Sequence, residues 1–237
     1  MISAPPDVSA AAWWRLAMQD GTLLRAFENE LIARLVLTGS TLDVGGGKGF
    51  GYVEQLKVQG RLDSVNIAPE VEATFTADLN QALPFADGAY DNVISFNTVE
   101  HIFNEQLILA EMLRVLRPGG RFVITAPFLF RRHSRYGDYH RHTADYWEQA
   151  LLALGQDTSQ FKVQPLLWCP LSTALTSMRW CRGGVRGRLT KLLVMAPELL
   201  RQALTKHDRA ALGYGDCALG ICMDGTKRAA LDLKGMP

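Results

Sequence analysis

Three glycines at alternate positions follow a short apolar run and are the residues that most directly indicate chemistry. Residues 43–49 read D-V-G-G-G-K-G, so Asp43 is followed by Gly45, Gly47 and Gly49 in a D-x-G-x-G-x-G spacing. Glycine adopts backbone conformations closed to other residues and lets a ligand approach without meeting a Cβ atom. A strand that ends in such a loop and continues into a helix N-terminus is typical of nucleotide-binding sites, because free N–H groups and the helix dipole face the ligand.

The spacing of this loop argues against a bound phosphate. A dinucleotide fingerprint has two residues before its last glycine, whereas only Lys48 separates Gly47 from Gly49. A P-loop needs Ser or Thr directly after Gly-Lys, and Lys48 is followed by glycine. The Asp43 carboxylate would repel a phosphate but attract an ammonium group. The loop therefore favours a nucleoside with a cationic tail, and an ordinary flexible glycine turn is the alternative.

Three further motifs follow the loop in order along the chain. They are L-P-F-x-D-x-x-Y-D at residues 83–91, V-E-H-I at 99–102 and L-R-P-G-G at 116–120. Together with the glycine loop they resemble the class I S-adenosylmethionine-dependent methyltransferases, in particular the type 11 enzymes that modify small molecules and glycans. The resemblance extends over residues 40–155 and is carried by the ordered set of motifs rather than by any one of them.

The resemblance implies both an architecture and a domain organisation. The implied fold is α/β, with a Rossmann-like, seven-stranded, mostly parallel sheet, an antiparallel last strand and helices on both faces. A single methyltransferase domain is expected over residues 1–237, with N-terminal helices in residues 1–39. The cofactor-binding core is expected at 40–155, and a helical insertion between strands six and seven at 168–213.

The apolar pattern of the chain agrees with an alternation of helices and strands. Helices are predicted at residues 11–19, 23–37, 51–59, 104–116 and 143–154. Strands are predicted at residues 40–44, 63–67, 73–77, 91–96, 121–126, 161–167 and 218–223. Pro118-Gly119-Gly120 predicts a turn before the fifth strand.

Ligands of open α/β sheets bind at the carboxyl ends of the strands, near the point where strand order reverses. The resemblance implies that S-adenosyl-L-methionine binds there to ten residues: Asp43, Gly45, Gly46, Gly47, Gly49, Asn66, Ile67, Asp78, Leu79 and Asn97. Asp43 would reach the ammonium group directly or through water. Asp78 would contact the adenine amino group, unless it only caps a turn. A valine at Gly47 would then fill space that the ligand needs.

Asn66 is a departure from the family pattern, which usually has Asp or Glu at the end of the second strand. A carboxylate there accepts hydrogen bonds from both ribose hydroxyls, whereas an amide offers one oxygen and no charge. Either the cofactor binds more weakly, or Glu70 contributes the missing acceptor. A plain role at the strand end is the alternative for Asn66.

Methyl transfer requires a nucleophile held in line with the methyl group and, for a hydroxyl, a group that accepts its proton. His101 and His140 are the candidate bases, because histidine titrates nearest to neutral pH. Local packing or capping is the alternative for His101.

Residues 133–143, H-S-R-Y-G-D-Y-H-R-H-T, predict a segment that faces the substrate. Its candidate substrate-binding residues are Tyr136, Asp138, Tyr139, Arg141 and His142. The alternative is that Thr143 caps the next helix and Arg141 only forms a salt bridge. The histidine spacing H-x-x-x-x-x-x-H-x-H is not typical of a metal site, so no metal is predicted.

Composition limits the partners and the location. With 25 basic and 24 acidic residues the net charge is +1, so no global field favours nucleic acid. Four cysteines without a C-x-x-C pair are typical of reduced thiols. No secretory signal and no apolar run of roughly 20 residues is evident. These features predict a cytoplasmic protein, and nothing in them predicts its oligomeric state.

Residues 158–197 contain no acidic residue, while the region 162–191 is basic and includes Trp168 and Trp180. This mixture predicts peripheral contact with an anionic membrane, or binding of a phosphate-bearing acceptor such as a lipid-linked or nucleotide-linked sugar. A basic pair of helices that covers the site is the alternative.

The sequence thus predicts a methyltransferase that modifies a small molecule or glycan, with oxygen as the acceptor atom. Two other interpretations remain open. One is a nicotinamide-dependent oxidoreductase, which the glycine spacing disfavours, and the other is a non-catalytic nucleotide-sensing or interaction domain with the same fold.

Overall fold

The structure, a computed structural model, describes residues 10–18, 22–133, 137–166, 184–204 and 218–228. These residues form α-helices α1 (Ala10–Met18), α2 (Leu23–Ile32), α3 (Glu105–Val115), α4 (Ala144–Ala153) and α5 (Gly184–Leu204). Their strands are β1 (Val36–Thr38), β2 (Thr41–Val44), β3 (Lys57–Gln59), β4 (Leu62–Asn66), β5 (Phe75–Thr76), β6 (Tyr90–Phe96), β7 (Leu116–Pro127), β8 (Phe161–Leu166) and β9 (Gly220–Thr226).

Seven of these strands form one sheet in the order β5-β4-β2-β6-β7-β9-β8. Neighbouring strands from β5 to β7 are parallel, and β9 runs antiparallel to both β7 and β8. The predicted fold class is confirmed. The chain leaves β2 toward β4 and β5 on one side and returns to β6 and β7 on the other. The order therefore reverses between β2 and β6, which is where such sheets bind ligands.

Apolar side chains cover both faces of this sheet. On β6, Val93 belongs to the core that packs under α3 and α4, and the adjacent Ile94 belongs to a second core that includes residues of α1 and α2. On β7, Phe122 and Val123 divide between the same two cores. Alternate side chains of a strand point to opposite faces, so a strand buried on both faces carries apolar residues at consecutive positions, as Val93-Ile94 and Phe122-Val123 do.

The predicted helix at residues 51–59 is wrong. The glycine loop is followed instead by a single 3₁₀ turn, Val53–Gln55, and by the short strand β3. β3 pairs in parallel with β1, and Val58 packs against the second core. The predicted helix at 23–37 is too long for the same reason. The helix ends at Ile32, and after a short turn the chain enters β1 at Val36. Tertiary pairing has overridden a short helical pattern at both places.

The P-G-G turn before the fifth strand is a bulge within β7 rather than a break. Leu116 pairs with Tyr90 and Arg121 with Asn92, so residues 117–120 are looped out of register. Gly119 has φ +72°, which is strained for any residue with a side chain. Of the predicted insertion at 168–213, the described part is α5, and the rest lies outside the described residues.

Among the described residues, no helix is long and apolar enough to cross a membrane. The basic region 162–191 is only partly described: Trp168 and Trp180 lie outside the described residues. Lys162 and Arg186 are exposed. Lys191, in contrast, is fully buried and cannot contribute its charge to a surface.

Candidate functional site

A cavity of about 540 Å³ opens at the carboxyl ends of β2, β4 and β6. This volume falls within the range of sites that hold small molecules. Its wall contains six of the ten residues predicted to bind a cofactor: Gly45, Asn66, Ile67, Asp78, Leu79 and Asn97. It also contains His101, one of the two candidate bases. Sequence reasoning missed several of its other residues, notably Arg25, Phe50, Tyr52 and Phe96. His133, the first residue of the predicted substrate-facing segment, also lines it.

Gly45 is the member of the glycine loop that reaches the cavity wall. It has φ +84°, and a Cβ atom placed there would lie 2.1 Å from the Thr98 Oγ1 atom. Its N–H donates to the Val65 carbonyl over 2.8 Å, which ties the loop to the end of β4. Only glycine fits this conformation and this approach.

Gly46, Gly47 and Gly49 do not line the cavity. A Cβ atom on Gly46 would collide with the Asp43 carboxylate, and one on Gly47 would lie 2.1 Å from the Val71 carbonyl oxygen. At Gly49 the nearest atom would be 3.7 Å away, an ordinary contact. Glycine at position 47 thus lets the loop pack against the Pro69–Val71 turn, and its second role, to leave space for the ligand, stays a prediction.

Asp43 lies beneath the loop rather than in the cavity. Its side chain is 1% exposed, and its Oδ2 atom accepts a hydrogen bond from the Tyr52 hydroxyl over 2.7 Å. Tyr52 lines the cavity, between stacked Phe50 and the edge-on ring of Phe96. Asp43 therefore fixes an aromatic wall of the cavity. Burial raises the pKa of the Asp43 carboxyl to about 7, and the bond from Tyr52 opposes that rise.

The Asp43 environment predicts a pH-dependent gain in stability for Asp43→Asn. Because the folded pKa lies above the unfolded one, the stability that Asp43 contributes is fully present below pH 3.8 and is lost as pH rises through about 7. Relative to the variant, the wild type should lose about 2–3 kcal/mol between pH 5 and pH 8. Denaturant unfolding at both pH values measures this, and Asp145→Asn on the exposed first turn of α4 is the control. An equal difference at the two pH values would contradict the buried environment.

Asn66 joins the two loops that flank the cavity. Its Nδ2 atom donates to the Gly45 carbonyl over 2.6 Å, and its Oδ1 atom accepts from the Ala68 N–H over 3.0 Å. Both ends of the amide are therefore engaged by backbone groups. A carboxylate could not donate to the Gly45 carbonyl, which gives a structural reason for asparagine here. Glu70, which lines the same cavity, is the nearby carboxylate that the sequence suggested as a substitute.

Asp78 lines the cavity and also shapes its own turn. Its Oδ1 atom accepts hydrogen bonds from the Asn80 backbone N–H over 2.9 Å and from the Asn80 side chain over 3.1 Å. Leu79, beside it, is 6% exposed. The two roles proposed for Asp78 in the sequence, a ligand contact and a turn cap, are thus compatible.

Asn97 is held at the cavity by a buried carboxylate on α2 that no motif had indicated. Its backbone has φ +51°, and its Nδ2 atom donates to Glu28 Oε2 over 2.7 Å. The Thr125 hydroxyl donates to the other oxygen over 3.2 Å. Glu28 is fully buried, and burial raises its pKa while Arg25, Asn97 and Thr125 oppose that rise.

A signal for Glu28 is present in the sequence. Leu24, Phe27, Leu31 and Ile32 form the apolar stripe of α2, and Glu28 falls within it at i+4 from Leu24. A carboxylate on an apolar stripe is expensive to bury unless it is hydrogen-bonded. It should therefore have indicated a buried polar partner.

His101 lies at one end of the cavity, and His133 lies beside it. The His101 Nδ1 atom is 2.8 Å from the Gly137 carbonyl oxygen, so Nδ1 carries the proton and Nε2 carries a lone pair in the neutral ring. Glu100, 1% exposed, has an Oε1 atom 3.5 Å from His101 Nε2 and 3.7 Å from His133 Nε2. Burial lowers the pKa of both histidines and raises that of Glu100 to about 8.

His140, the second candidate base, does not reach the cavity. Its Nε2 atom is 3.0 Å from the Ile102 carbonyl oxygen, to which it donates. The described structure therefore gives it a role in anchoring the segment after β7, in place of proton transfer at the cavity.

Four of the predicted substrate-binding residues are described, and none of them lines the cavity: Asp138, Tyr139, Arg141 and His142. The fifth, Tyr136, lies outside the described residues. Asp138 pairs with Arg141 and accepts from the His133 backbone N–H over 3.0 Å. His142 Nε2 lies 2.9 Å from Glu105, and Tyr139 packs edge-on against exposed Phe103. Asp138 and Arg141 thus position His133, which is the member of this segment that does line the cavity.

Part of this chain is similar in sequence to known methyltransferases. Residues 42–124 match a family model described as a methyltransferase domain; this segment is less than half of the chain. An uncharacterized methyltransferase of Mycobacterium avium (strain 104) is 39% identical over 95 residues, which cover 35% of this chain and 38% of the relative. One from Mycolicibacterium gilvum (strain PYR-GCK) is 36% identical over 99 residues, covering 36% and 38%. The chain thus matches well under half the length of these relatives.

Solved structures share the fold at low sequence identity. Phosphoethanolamine N-methyltransferase 2 of Haemonchus contortus, in complex with S-adenosyl-L-methionine, has a TM-score of 0.54 at 14% identity, covering 85% of this chain and 52% of that one. The [4+2]-cyclase SpnF has a TM-score of 0.52 at 13% identity, covering 97% and 99%. The first likeness shows that this chain shares the fold of a methyltransferase. The second shows that this fold also hosts other chemistry.

Proposed function

We propose that this chain is an S-adenosylmethionine-dependent methyltransferase that modifies a hydroxyl group of a small molecule or glycan. One observation carries the proposal: the cavity at the strand-order reversal is lined by six residues that the sequence motifs assign to the cofactor. The methyltransferase family match over residues 42–124 supports it independently, as does the S-adenosyl-L-methionine complex of the Haemonchus contortus enzyme.

The chemistry of the cavity wall fits this cofactor. Asp78 offers an acceptor for an adenine amino group beside apolar Leu79, and Glu70 offers a carboxylate for ribose hydroxyls. The buried Oδ1 atom of Asn97 accepts no hydrogen bond from another described residue. It is therefore an acceptor available to a ligand ammonium group. The aromatic wall of Phe50, Tyr52 and Phe96 would exclude water around a sulfonium, and a ring face turned toward it would add a cation–π contact.

For methyl transfer, the main task of the protein's residues is to position the cofactor and the acceptor. The bound cofactor supplies a methyl group on a good leaving group. Asn97, fixed by Glu28, orients the amino acid portion, and the acceptor would enter at the end of the cavity formed by His101 and His133. The aromatic wall excludes water, and His101 would accept the hydroxyl proton at Nε2, the ring nitrogen that carries the lone pair.

Asn66→Asp should not improve cofactor binding, although it restores the residue type that is usual in the family. An aspartate loses the donor to the Gly45 carbonyl and places a negative charge against it, so we expect about 10-fold weaker binding of S-adenosylmethionine. Glu70→Gln should also weaken binding, because it removes the proposed ribose acceptor. Isothermal titration measures both. Tighter binding by Asn66→Asp would show that Asn66 faces the ribose instead of the loop.

Contact with an anionic membrane belongs to the same proposal and has support on α5. Val185, Leu189 and Leu193 are 73%, 55% and 75% exposed, and their i, i+4, i+8 spacing places them on one helix face beside exposed Arg186. Flotation with anionic vesicles should recover the protein, and Leu189→Asp should reduce that recovery. Neutral vesicles are the control. Absence of binding at low salt would remove the membrane from the proposal.

Transfer of labelled methyl from the cofactor tests the activity and identifies the acceptor. The purified protein is incubated with labelled S-adenosylmethionine and a lysate of the source cell, and labelled products are identified by mass spectrometry. We expect a labelled small molecule or glycan carrying an O-methyl group. Cofactor binding without any labelled product would favour a binding domain or another chemistry on the same fold.

A further inference from the structure

Glu100, His101 and His133, named here the Glu-His-His cluster, place three metal-ligand atoms at the end of the cavity. One oxygen of Glu100 and one ring nitrogen of each histidine lie within 4.8 Å of one another. Glu100 and His101 belong to the 3₁₀ turn Val99–His101 directly after β6, and His133 follows β7. The carboxyl ends of two adjacent parallel strands thus bring the cluster together.

Glu100 has few hydrogen-bond donors for so buried a side chain. Neither of its oxygens accepts a hydrogen bond from another described residue, although the side chain is 1% exposed, and the donor that does bond to it is its own backbone N–H. His101 donates its Nδ1 proton to the Gly137 carbonyl, so its Nε2 atom, which carries the lone pair, lies beside the Glu100 carboxyl group. An ionised carboxyl group with so few donors is costly to bury. A cation placed among the three ligand atoms would offset this cost.

The separations suit a metal ion. Ligand atoms bound tetrahedrally at the usual zinc–nitrogen and zinc–oxygen lengths lie about 3.3 Å apart. The Glu100 oxygen lies 3.5 Å from His101 Nε2 and 3.7 Å from His133 Nε2. The bond from His101 Nδ1 to a backbone carbonyl is the outer hydrogen bond that metal-bound histidines usually make.

We propose that the Glu-His-His cluster binds one divalent transition-metal ion, of the zinc or iron(II) class, with an open position toward the cavity. Two imidazoles and one carboxylate suit these ions better than Mg²⁺ or Ca²⁺, which prefer oxygen ligands. His101 and His133 line the cavity, so a fourth ligand would come from water or from the acceptor. The sequence predicted no metal because the decisive carboxylate, Glu100, lies outside the histidine-rich segment.

A second group of similar composition provides an internal comparison. Glu105, His140 and His142 also lie within ligand distance of one another. Its carboxylate, however, already bonds His142 Nε2 over 2.9 Å and the Tyr146 hydroxyl over 2.5 Å. His140 donates its Nε2 proton to the Ile102 carbonyl, and its Nδ1 atom lies 3.9 Å from Glu105. The difference between the two groups is therefore the carboxylate. Because Glu105 is already hydrogen-bonded, this group is expected to bind no metal.

The metal would also determine which acceptors can react, namely those with a hydroxyl group that binds the metal. This consequence rests on the proposed function. A metal-bound hydroxyl loses its proton far more easily than a free one. An acceptor that places one hydroxyl on the metal would release its proton to solvent water and would need no histidine base, so His101 would act as a ligand in place of a proton acceptor.

The test is metal binding by the full chain in the absence of any cofactor. Protein stripped with a chelator is titrated with Zn²⁺, and with Co²⁺ as a spectroscopic probe, and the retained metal is quantified after dialysis. We expect about one equivalent and the intense visible absorption of four-coordinate Co²⁺. Glu100→Gln and His133→Ala should each weaken binding at least about 10-fold, and His142→Ala, in the second group, should not.

Thermal unfolding of each variant checks that it folds. His133 is partly exposed, with a side-chain accessibility of 25%, so its variant remains informative if Glu100→Gln is unstable. Failure to retain either metal, or equal retention by wild type and the His133 variant, would overturn the metal site. Because no S-adenosylmethionine is used, that failure would leave the proposed methyl transfer standing, with His101 as the proton acceptor.

Discussion

Replacement of Gly47 by valine is expected to weaken S-adenosylmethionine binding by at least about 100-fold. A Cβ atom at this position would lie 2.1 Å from the Val71 carbonyl oxygen and 2.9 Å from the Val71 carbonyl carbon. Two backbone segments would have to separate, and one of them carries Glu70 and Val71 into the cavity wall. The side chain thus acts by displacing the wall, since Gly47 itself does not face the cavity.

Gly49→Ala is the matched control for this experiment. It lies two residues further along the same loop, and its Cβ atom would meet nothing closer than 3.7 Å, so we expect affinity within about 3-fold of the wild type. Titration calorimetry measures both variants, and circular dichroism confirms that each one folds. Wild-type affinity in Gly47→Val would place the cofactor elsewhere on the molecule.

Removal of the Glu28 carboxylate should cost both stability and cofactor affinity. Glu28→Ala leaves the Asn97 amide and the Thr125 hydroxyl without the acceptor they share. We expect a loss of about 2–4 kcal/mol in the free energy of unfolding, because buried donors are left unpaired and a cavity forms. Asn97, released from its left-handed conformation, would no longer be fixed at the cavity, and S-adenosylmethionine affinity should fall about 10-fold or more.

Glu28→Gln separates hydrogen bonding from charge. Glutamine keeps an acceptor for the Asn97 amide, and its amide group donates to the Thr125 hydroxyl oxygen. Because burial already raises the pKa of Glu28, the neutral side chain should be tolerated with most of the affinity retained. Denaturant unfolding and calorimetry on the three proteins measure this. Equal losses in the alanine and glutamine variants would show that charge, and not anchoring of Asn97, is what Glu28 provides.

The sheet was largely predictable because its strands are short apolar-rich segments that alternate with helices and are bounded by turn residues. The sequence indicates β2, β4, β6 and β8 to within a few residues and the C-terminal half of β7, although some polar side chains of these strands, such as Asp43 and Ser64, are buried. The segment after the glycine loop was not predictable in the same way. Residues 51–59 contain a short apolar pattern compatible with a helix, and only the parallel pairing of β3 with β1 decides it. Such long-range pairing leaves little trace in local sequence.

The residues of the candidate site also differ in how far local sequence predicts them. Residues in local motifs at strand ends, such as Gly45, Asn66 and Asp78, were assigned to the region where the cavity is found. Arg25, which reaches the cavity from a distant part of the chain, was missed, and His133 was predicted only as part of the substrate-facing segment 133–143. The composition of the histidine-rich segment indicates what chemistry its side chains can do, but not which of them face the cavity. Arg141 and Asp138 pair with each other, whereas His133 faces the cavity.

Binding of three nucleotide ligands by calorimetry tests the central claim most directly. The cavity and its motifs predict that S-adenosylmethionine and S-adenosylhomocysteine each bind at one site per chain, and that NAD does not bind. Binding of NAD alone would contradict the methyltransferase assignment and support an oxidoreductase. Absence of binding by all three would contradict it as well, in favour of an interaction domain that has the fold without the cofactor.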